Sequence, residues 1–178
     1  MRSWFILSAL GSDRPGLVAE LAQLIYDSDA NLEDSRMSIL GSDFAVILLC
    51  SSAAKDAEHR LVTGSKILER EHGLTVLIRT LDGHRRPPIP APGSRLYRIE
   101  ASGEDRAGIV AGLCRLLADR GVNIAELSTR SRSGPGGSPH YEMTIAAEVP
   151  ETADIQELRQ ALEAEADRLV IDVALTPD

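Results

Sequence analysis

The sequence predicts an α+β protein made of two βαββαβ units, each an antiparallel four-stranded sheet with two helices on one face. Three observations predict it. The stretch Gly11-Ser12-Asp13-Arg14-Pro15-Gly16-Leu17-Val18-Ala19 recurs as Gly103-Glu104-Asp105-Arg106-Ala107-Gly108-Ile109-Val110-Ala111, and the offset of 92 residues holds without a gap from Ala9/Ala101 to Asn31/Asn123. Each copy follows an apolar run and opens an amphipathic one, which reads as a strand-to-helix turn. The same order of strand-like and helix-like segments then follows each copy, with a proline-rich stretch between them. This divides the chain into a first domain over 1–81, a linker over 82–94 and a second domain over 95–178.

Composition sets bounds. A chain of 178 residues holds one or two domains, and the repeat favours two of about 80 residues. Apolar content of 43% and charged content of 26% are those of a globular protein. No apolar run approaches the roughly 20 residues that span a bilayer. Met1-Arg2-Ser3-Trp4 enters a strand directly, so the reading is a cytoplasmic protein without a secretory signal or membrane partner. A net charge of −8 opposes direct binding to nucleic acid, which needs a basic face, but not binding to a protein that itself binds DNA. Cys50 and Cys114 lack CxxC spacing and read as small apolar residues rather than metal ligands or a disulfide. No metal site and no cofactor are expected.

The elements follow in order. Trp4–Leu10 is a strand, apolar on both faces. Pro15 to about Ser28 is a helix, with Leu17, Leu21, Leu24 and Ile25 at helical spacing. Asp29-Ala30-Asn31 turns the chain into a hairpin of Leu32–Leu40 and Phe44–Cys50. Lys55–His72 is a helix with Leu61, Val62 and Leu68 inward, weakened by Gly64 and stopped by Gly73. Leu74–Thr80 is the fourth strand. Four prolines within Pro87–Pro92 make an extended linker. In the second unit, Arg95–Ser102 is a strand and Gly108–Arg120 a helix with Ile109, Leu113, Leu116 and Leu117 inward. Asn123–Arg132 and Tyr141–Val149 form a hairpin around the flexible loop 133–139. Asp154–Arg168 is a helix and Leu169–Leu175 the last strand.

The first sheet's third strand is apolar on both faces: Phe44, Val46 and Leu48 alternate with Ala45, Ile47 and Leu49. The second unit alternates apolar with polar. The helix-free face of the first domain is therefore expected to be covered, by the other domain or by a second chain.

The repeated turn has a chemical reading. Asp13 and Asp105 are placed to cap the helices, and Pro15 suits the first helical turn. Gly16 and Gly108 leave the backbone bare where exposed N–H groups favour a carboxylate or phosphate. The plainer reading of these glycines is tight strand–helix packing, and that of Asn31 and Asn123 is a left-handed turn residue. The βαββαβ order is the ferredoxin-like arrangement.

A strand, Asp-Arg-Pro-Gly-Leu/Ile-Val, an amphipathic helix, Asn-Leu/Ile and a second strand resemble the ACT domain, a regulatory module that binds amino acids. Asn31-Leu32-Glu33-Asp34-Ser35-Arg36, Arg86-Pro87-Pro88-Ile89-Pro90 and Asn123-Ile124-Ala125-Glu126-Leu127 resemble the glycine cleavage system transcriptional repressor family across nearly the whole chain. That resemblance implies a glycine-responsive repressor that acts through a separate DNA-binding transcription regulator; the chain is expected to form a homodimer. It implies ligand contacts at Asp13, Arg14, Gly16, Leu17 and Asn31, and again at Asp105, Arg106, Gly108, Ile109 and Asn123. The ligand carboxylate would take N–H groups at the helix start and its ammonium an acceptor such as the Asn side chain. Gly16→Val is expected to block the ligand and leave the fold largely intact. Ala107 departs from the Pro15 position and makes the second turn less stiff. Two alternatives stand beside this: a tandem ACT sensor of another amino acid, and an interaction module that binds no ligand. An enzyme is not expected. His59, His72, His84 and His140 have no nucleophile or second ligand beside them. Arg14 and Asn31 superficially match the Arg and Asn of acylphosphatases, which share the fold order, but Asp13 beside Arg14 would repel a phosphate.

Overall fold

The computed structural model describes residues 2–81, 89–133 and 139–178. The core of the linker and the centre of the 133–139 loop thus lie outside the described residues. The chain divides into two compact units, Met1–Arg85 and Arg86–Asp178. Among the described residues, no helix is long and apolar enough to cross a membrane.

The first unit runs β1 (Ser3–Ser12), α1 (Leu17–Asp27), β2 (Ala30–Leu40), β3 (Asp43–Ser52), α2 (Ala57–His72) and β4 (Thr75–Leu81). The second runs β5 (Ser94–Glu104), α3 (Ile109–Asp119), β6 (Asn123–Ser133), β7 (Pro139–Pro150), α4 (Ile155–Leu169) and β8 (Ile171–Pro177). The sheets have the orders β2-β3-β1-β4 and β6-β7-β5-β8, with every pair antiparallel. Each unit is thus a ferredoxin-like α+β domain.

Alternation decides the faces. Phe5, Leu7 and Ala9 of β1 and Phe44, Val46, Leu48 and Cys50 of β3 point to one side, where they pack under Leu17, Leu21, Ile25 and Leu61. In the second unit Ile99, Ala101, Met143, Ile145, Ala147 and Val149 meet Ile109, Leu113, Leu117, Leu158 and Leu162. The repeat also extends to irregularities. A β-bulge interrupts the pairing of β2 with β3 between Leu32 and Asp34, and another interrupts β6 with β7 between Ile124 and Glu126, at the same offset.

Several expectations change. Val62 is 41% exposed rather than inward, because α2 has a narrow apolar stripe that Leu61 and Ser65 occupy. Leu169 ends α4 instead of opening a strand, and Val170 at φ 57° makes the left-handed exit into β8. Gly64 has a packing reason: a Cβ there would stand 2.2 Å from Leu24 Cδ1, so its lack of side chain lets α2 approach α1. Gly73 stops α2 in a left-handed conformation, as the sequence suggests.

Candidate functional site

The turn from β1 into α1 is built by two glycines with different tasks. Gly11, in β1, faces Leu74, whose Cδ2 would lie 2.7 Å from an added Cβ. Gly103 faces Ile171 in the same way, with Cγ2 at 2.8 Å. The close-packing role therefore belongs to the first glycine of each motif. Gly16 and Gly108 have no crowding neighbour within 3.5 Å of an added Cβ; their requirement is φ, at 98° and 102°.

These glycines, not the aspartates, are the N-cap residues, and no side chain caps either helix. Asp13 and Asp105 stay with the strands. The Asp13 N–H donates to Ser42 O at 2.9 Å, the Asp105 N–H donates to Pro139 O at 3.1 Å, and the Asp105 carboxylate accepts from Ser131 Oγ at 2.8 Å. Each turn is thus latched to the neighbouring hairpin, and Pro15 lies before the cap rather than inside the first helical turn. By contrast, Asp154 does cap α4, accepting from the N–H groups of Gln156 and Glu157. The first turns of α1 and α3 accordingly present backbone donors to an outside acceptor without a competing side-chain cap.

Leu17 and Ile109 do not face outward. They are 2% exposed and anchor the helix starts in the two cores. Arg14 folds back onto α1, where one guanidinium nitrogen reaches both Glu20 oxygens at 2.9 and 2.7 Å. His72 Nε2 meets the same carboxylate at 3.1 Å. The second copy has Gly112 at the position of Glu20, and Arg106 pairs instead with Glu104 at 2.6 Å. The two turns therefore share a backbone shape and differ in the charges around it.

Asn31 and Asn123 are strand residues. The left-handed residue of the first connection is Asp29, at φ 51°. Asn31 is level with Trp4 across Ser51, whereas the turn follows Ser12. Asn123 is level with Leu96 across Glu148, whereas its turn follows Glu104. Eight strand residues, about 26 Å, separate each Asn from the turn of its own unit. The structure does not bring these two parts of the predicted site together within either unit.

What lies beside each Asn is a carboxylate that the sequence did not single out. Asn31 Nδ2 donates to Glu33 Oε1 at 3.2 Å, and Ser51 Oγ donates to the same oxygen at 2.5 Å. Asn123 Nδ2 donates to Glu148 Oε2 at 2.5 Å, and Glu148 is only 6% exposed. Glu33 occupies the bulge of β2, whereas Glu148 comes from β7. On the strand pattern Glu148 reads as a solvent-facing residue, and only the three-dimensional pairing reveals it. With the amide nitrogen engaged, the Asn oxygen and the carboxylate can together accept from a cation.

Elsewhere, a shallow depression of about 390 Å³ on the helix-free face of the second sheet is lined by Glu100, Ser102, Glu142, Thr144 and Asp172. Its carboxylates suit no anionic group. Among the described residues no His, Cys, Asp or Glu cluster could hold a metal ion. His84 lies outside the described residues. Cys50 and Cys114 are free thiols. Burial, together with the charge of Glu33, pushes the Cys50 thiol up to about 11.

Comparison with known proteins gives this geometry a family. ACT-domain family models match residues 3–79 and 97–167. The glycine cleavage system transcriptional repressor of Escherichia coli strain K12 is 26% identical over 162 residues, covering 90% of this chain and 83% of that protein. A UPF0237 protein of Methanopyrus kandleri is 28% identical over 86 residues, which is 45% of this chain and 90% of that protein. A crystal structure of an unknown protein from Galdieria sulphuraria superposes with a TM-score of 0.82 at 30% identity, over 100% of this chain and 99% of that one. The crystal structure of a candidate glycine cleavage system transcriptional repressor superposes with a TM-score of 0.71 at 20% identity, over 99% and 97% of the two chains. The chain belongs to the ACT-domain family, and carries two such domains in tandem.

Proposed function

We propose that the protein is an amino-acid-sensing regulator, a glycine-responsive repressor of glycine cleavage genes that acts through a partner transcription regulator rather than by touching DNA or catalysing a reaction. The observation that carries this reading is the likeness to the E. coli repressor along almost the whole of both chains. The acidic net charge of −8 fits an indirect role in transcription.

At the ligand site, the amino acid's carboxylate is taken by the free N–H groups that Gly16 and Gly108 leave uncapped. Asp13, Arg14, Leu17, Asp105, Arg106 and Ile109 shape these turns: the aspartates latch them, the apolar pair anchors them, Arg14 lies beside the first and Arg106 is drawn to Glu104 next to the second. The Asn31–Glu33 and Asn123–Glu148 pairs are acceptors for an ammonium. One small molecule cannot reach both poles of a single unit. A ligand therefore uses one pole, or uses both when another domain supplies the other.

A thermal-shift series with glycine, serine and the other amino acids tests this. Glycine at about 100 times its Kd stabilises by about 2.7 kcal/mol, a rise of roughly 5–10 °C for a chain of this length. Gly16→Ala and Gly108→Ala should abolish the shift, and Asn31→Ala and Asn123→Ala show whether the second pole takes part. A shift with another amino acid alone keeps the sensor and discards glycine. No shift with any amino acid leaves the ligand-free interaction module.

A further inference from the structure

We infer that the helix-free face of the first sheet is a homotypic interface, on which the same face of a second copy of this chain packs about a two-fold axis parallel to the strands. Alternation places Ile6 and Leu10 of β1, Ile47 and Leu49 of β3 and Leu77 of β4 on this face. Leu10, Ile47 and Leu77 are 51%, 53% and 67% exposed. The corresponding face of the second sheet is unlike it: β5 and β7 place Arg98, Glu100, Ser102, Glu142 and Thr144 there. An apolar face finds its match in another apolar face, and the chain's own second such face is polar.

Charge then selects the geometry. Asp34, Leu49, Ile6 and Arg79 lie in register across the four strands β2, β3, β1 and β4. This row reads acid, apolar, apolar, base. A two-fold axis parallel to the strands lays β2 of one copy over β4 of the other and keeps each row opposite itself. Asp34 then faces Arg79 of the second copy at both edges, with Ile6 and Leu49 packed between, as in aligned sheet-on-sheet packing. A two-fold axis across the strands would lay β2 over β2 and leave this match unused. The next two rows along β1 are Arg36, Ile47, Ser8 and Leu77, then Ser38, Ala45, Leu10 and Thr75, and their apolar contacts come from Ile47 and Leu77 in the first and Ala45 and Leu10 in the second.

The test is the mass of the full chain in solution by sedimentation over about a hundredfold range of concentration. The wild type should be a dimer. Asp34→Arg and Arg79→Asp should each weaken the dimer about tenfold or more, because like charges then face each other at both edges. The double variant carrying both changes should restore it to within about threefold of wild type. Ile47→Asp should give a monomer with an unchanged circular dichroism spectrum, since its side chain lies outside the core. A monomeric wild type would overturn the proposal, because something other than a second copy must then cover the face. So would a dimer indifferent to the single charge changes, or a double variant that stays as weak as the singles.

Discussion

At the residue scale, the motif's two glycines illustrate how one letter serves two physical needs. Gly16 at φ 98° and Gly108 at φ 102° sit where an L side chain is strained even with space around it. Gly16→Ala and Gly108→Ala should therefore each cost about 1–2 kcal/mol in urea unfolding, the penalty of a left-handed alanine. Gly16→Val should cost more, because a branched side chain tolerates the left-handed region less well than alanine. A measured cost near zero would show that the turn relaxes and that the positive φ is not a requirement. Cys50 gives a second residue-scale expectation. Its thiol is held neutral in the folded protein up to about 11, against 9.0 for an ordinary thiol, because it is buried and faces the charge of Glu33. An acid whose pKa is raised on folding contributes fully below its unfolded value and loses that contribution as pH rises through its folded value. The first domain should therefore lose stability between about pH 9 and 11, and Cys50→Ala should flatten that slope in melts taken across the range.

At the element scale, capping and helix approach set the elements' ends and spacings. Asp154 satisfies two N–H groups of α4, so Asp154→Ala should destabilise the second domain by about 1 kcal/mol, read by denaturant unfolding. Gly64 is the opposite case, in which a poor helix former is kept because Leu24 of α1 occupies the space of its Cβ. Gly64→Ala should be neutral or destabilising in the wild type, yet stabilising by about 1 kcal/mol in a Leu24→Ala background, where only helix propensity remains. Equal effects in both backgrounds would deny the contact. These elements also show what the sequence discloses and what it withholds. Among the described residues, periodicity discloses the eight strands and four helices, because one buried face imposes a period of two or 3.6 on each. The repeated turn is legible for the same reason that it exists, as backbone geometry demands particular residues at fixed spacing. The acceptor beside Asn123 is not legible. Glu148 reaches it from the neighbouring strand, so that pair depends on register, whereas Glu33 lies only two residues from Asn31 along its own strand. The N-caps fall on Gly16 and Gly108 rather than on the aspartates three residues before them, which are tied by their N–H groups to the adjacent hairpins.

At the scale of the whole molecule, the two domains share one backbone plan. The offset of 92 residues preserves the turn, the strand levels and even the bulge. The cores vary within apolar chemistry, with Cys50 and Val46 answered by Ala147 and Met143, and the changes of charge lie outside them. Glu20 and His72 crowd the first turn where the second has Gly112, and an apolar helix-free face in one domain answers a charged one in the other. The two halves thus keep the same turn geometry while presenting different charges around it. Among the described residues each half has its own buried apolar cluster. Phe5 is 1% exposed in the first core and Ile145 0% in the second. Phe5→Ala should remove about 3–5 kcal/mol from the first domain, and Ile145→Ala about 2–5 kcal/mol from the second. Calorimetry of the full chain should then show two transitions, with the lower one moved selectively by the substitution in its own domain. If either substitution lowers both transitions equally, the domains unfold as one cooperative body, and a ligand bound at one turn would then stabilise the other half directly.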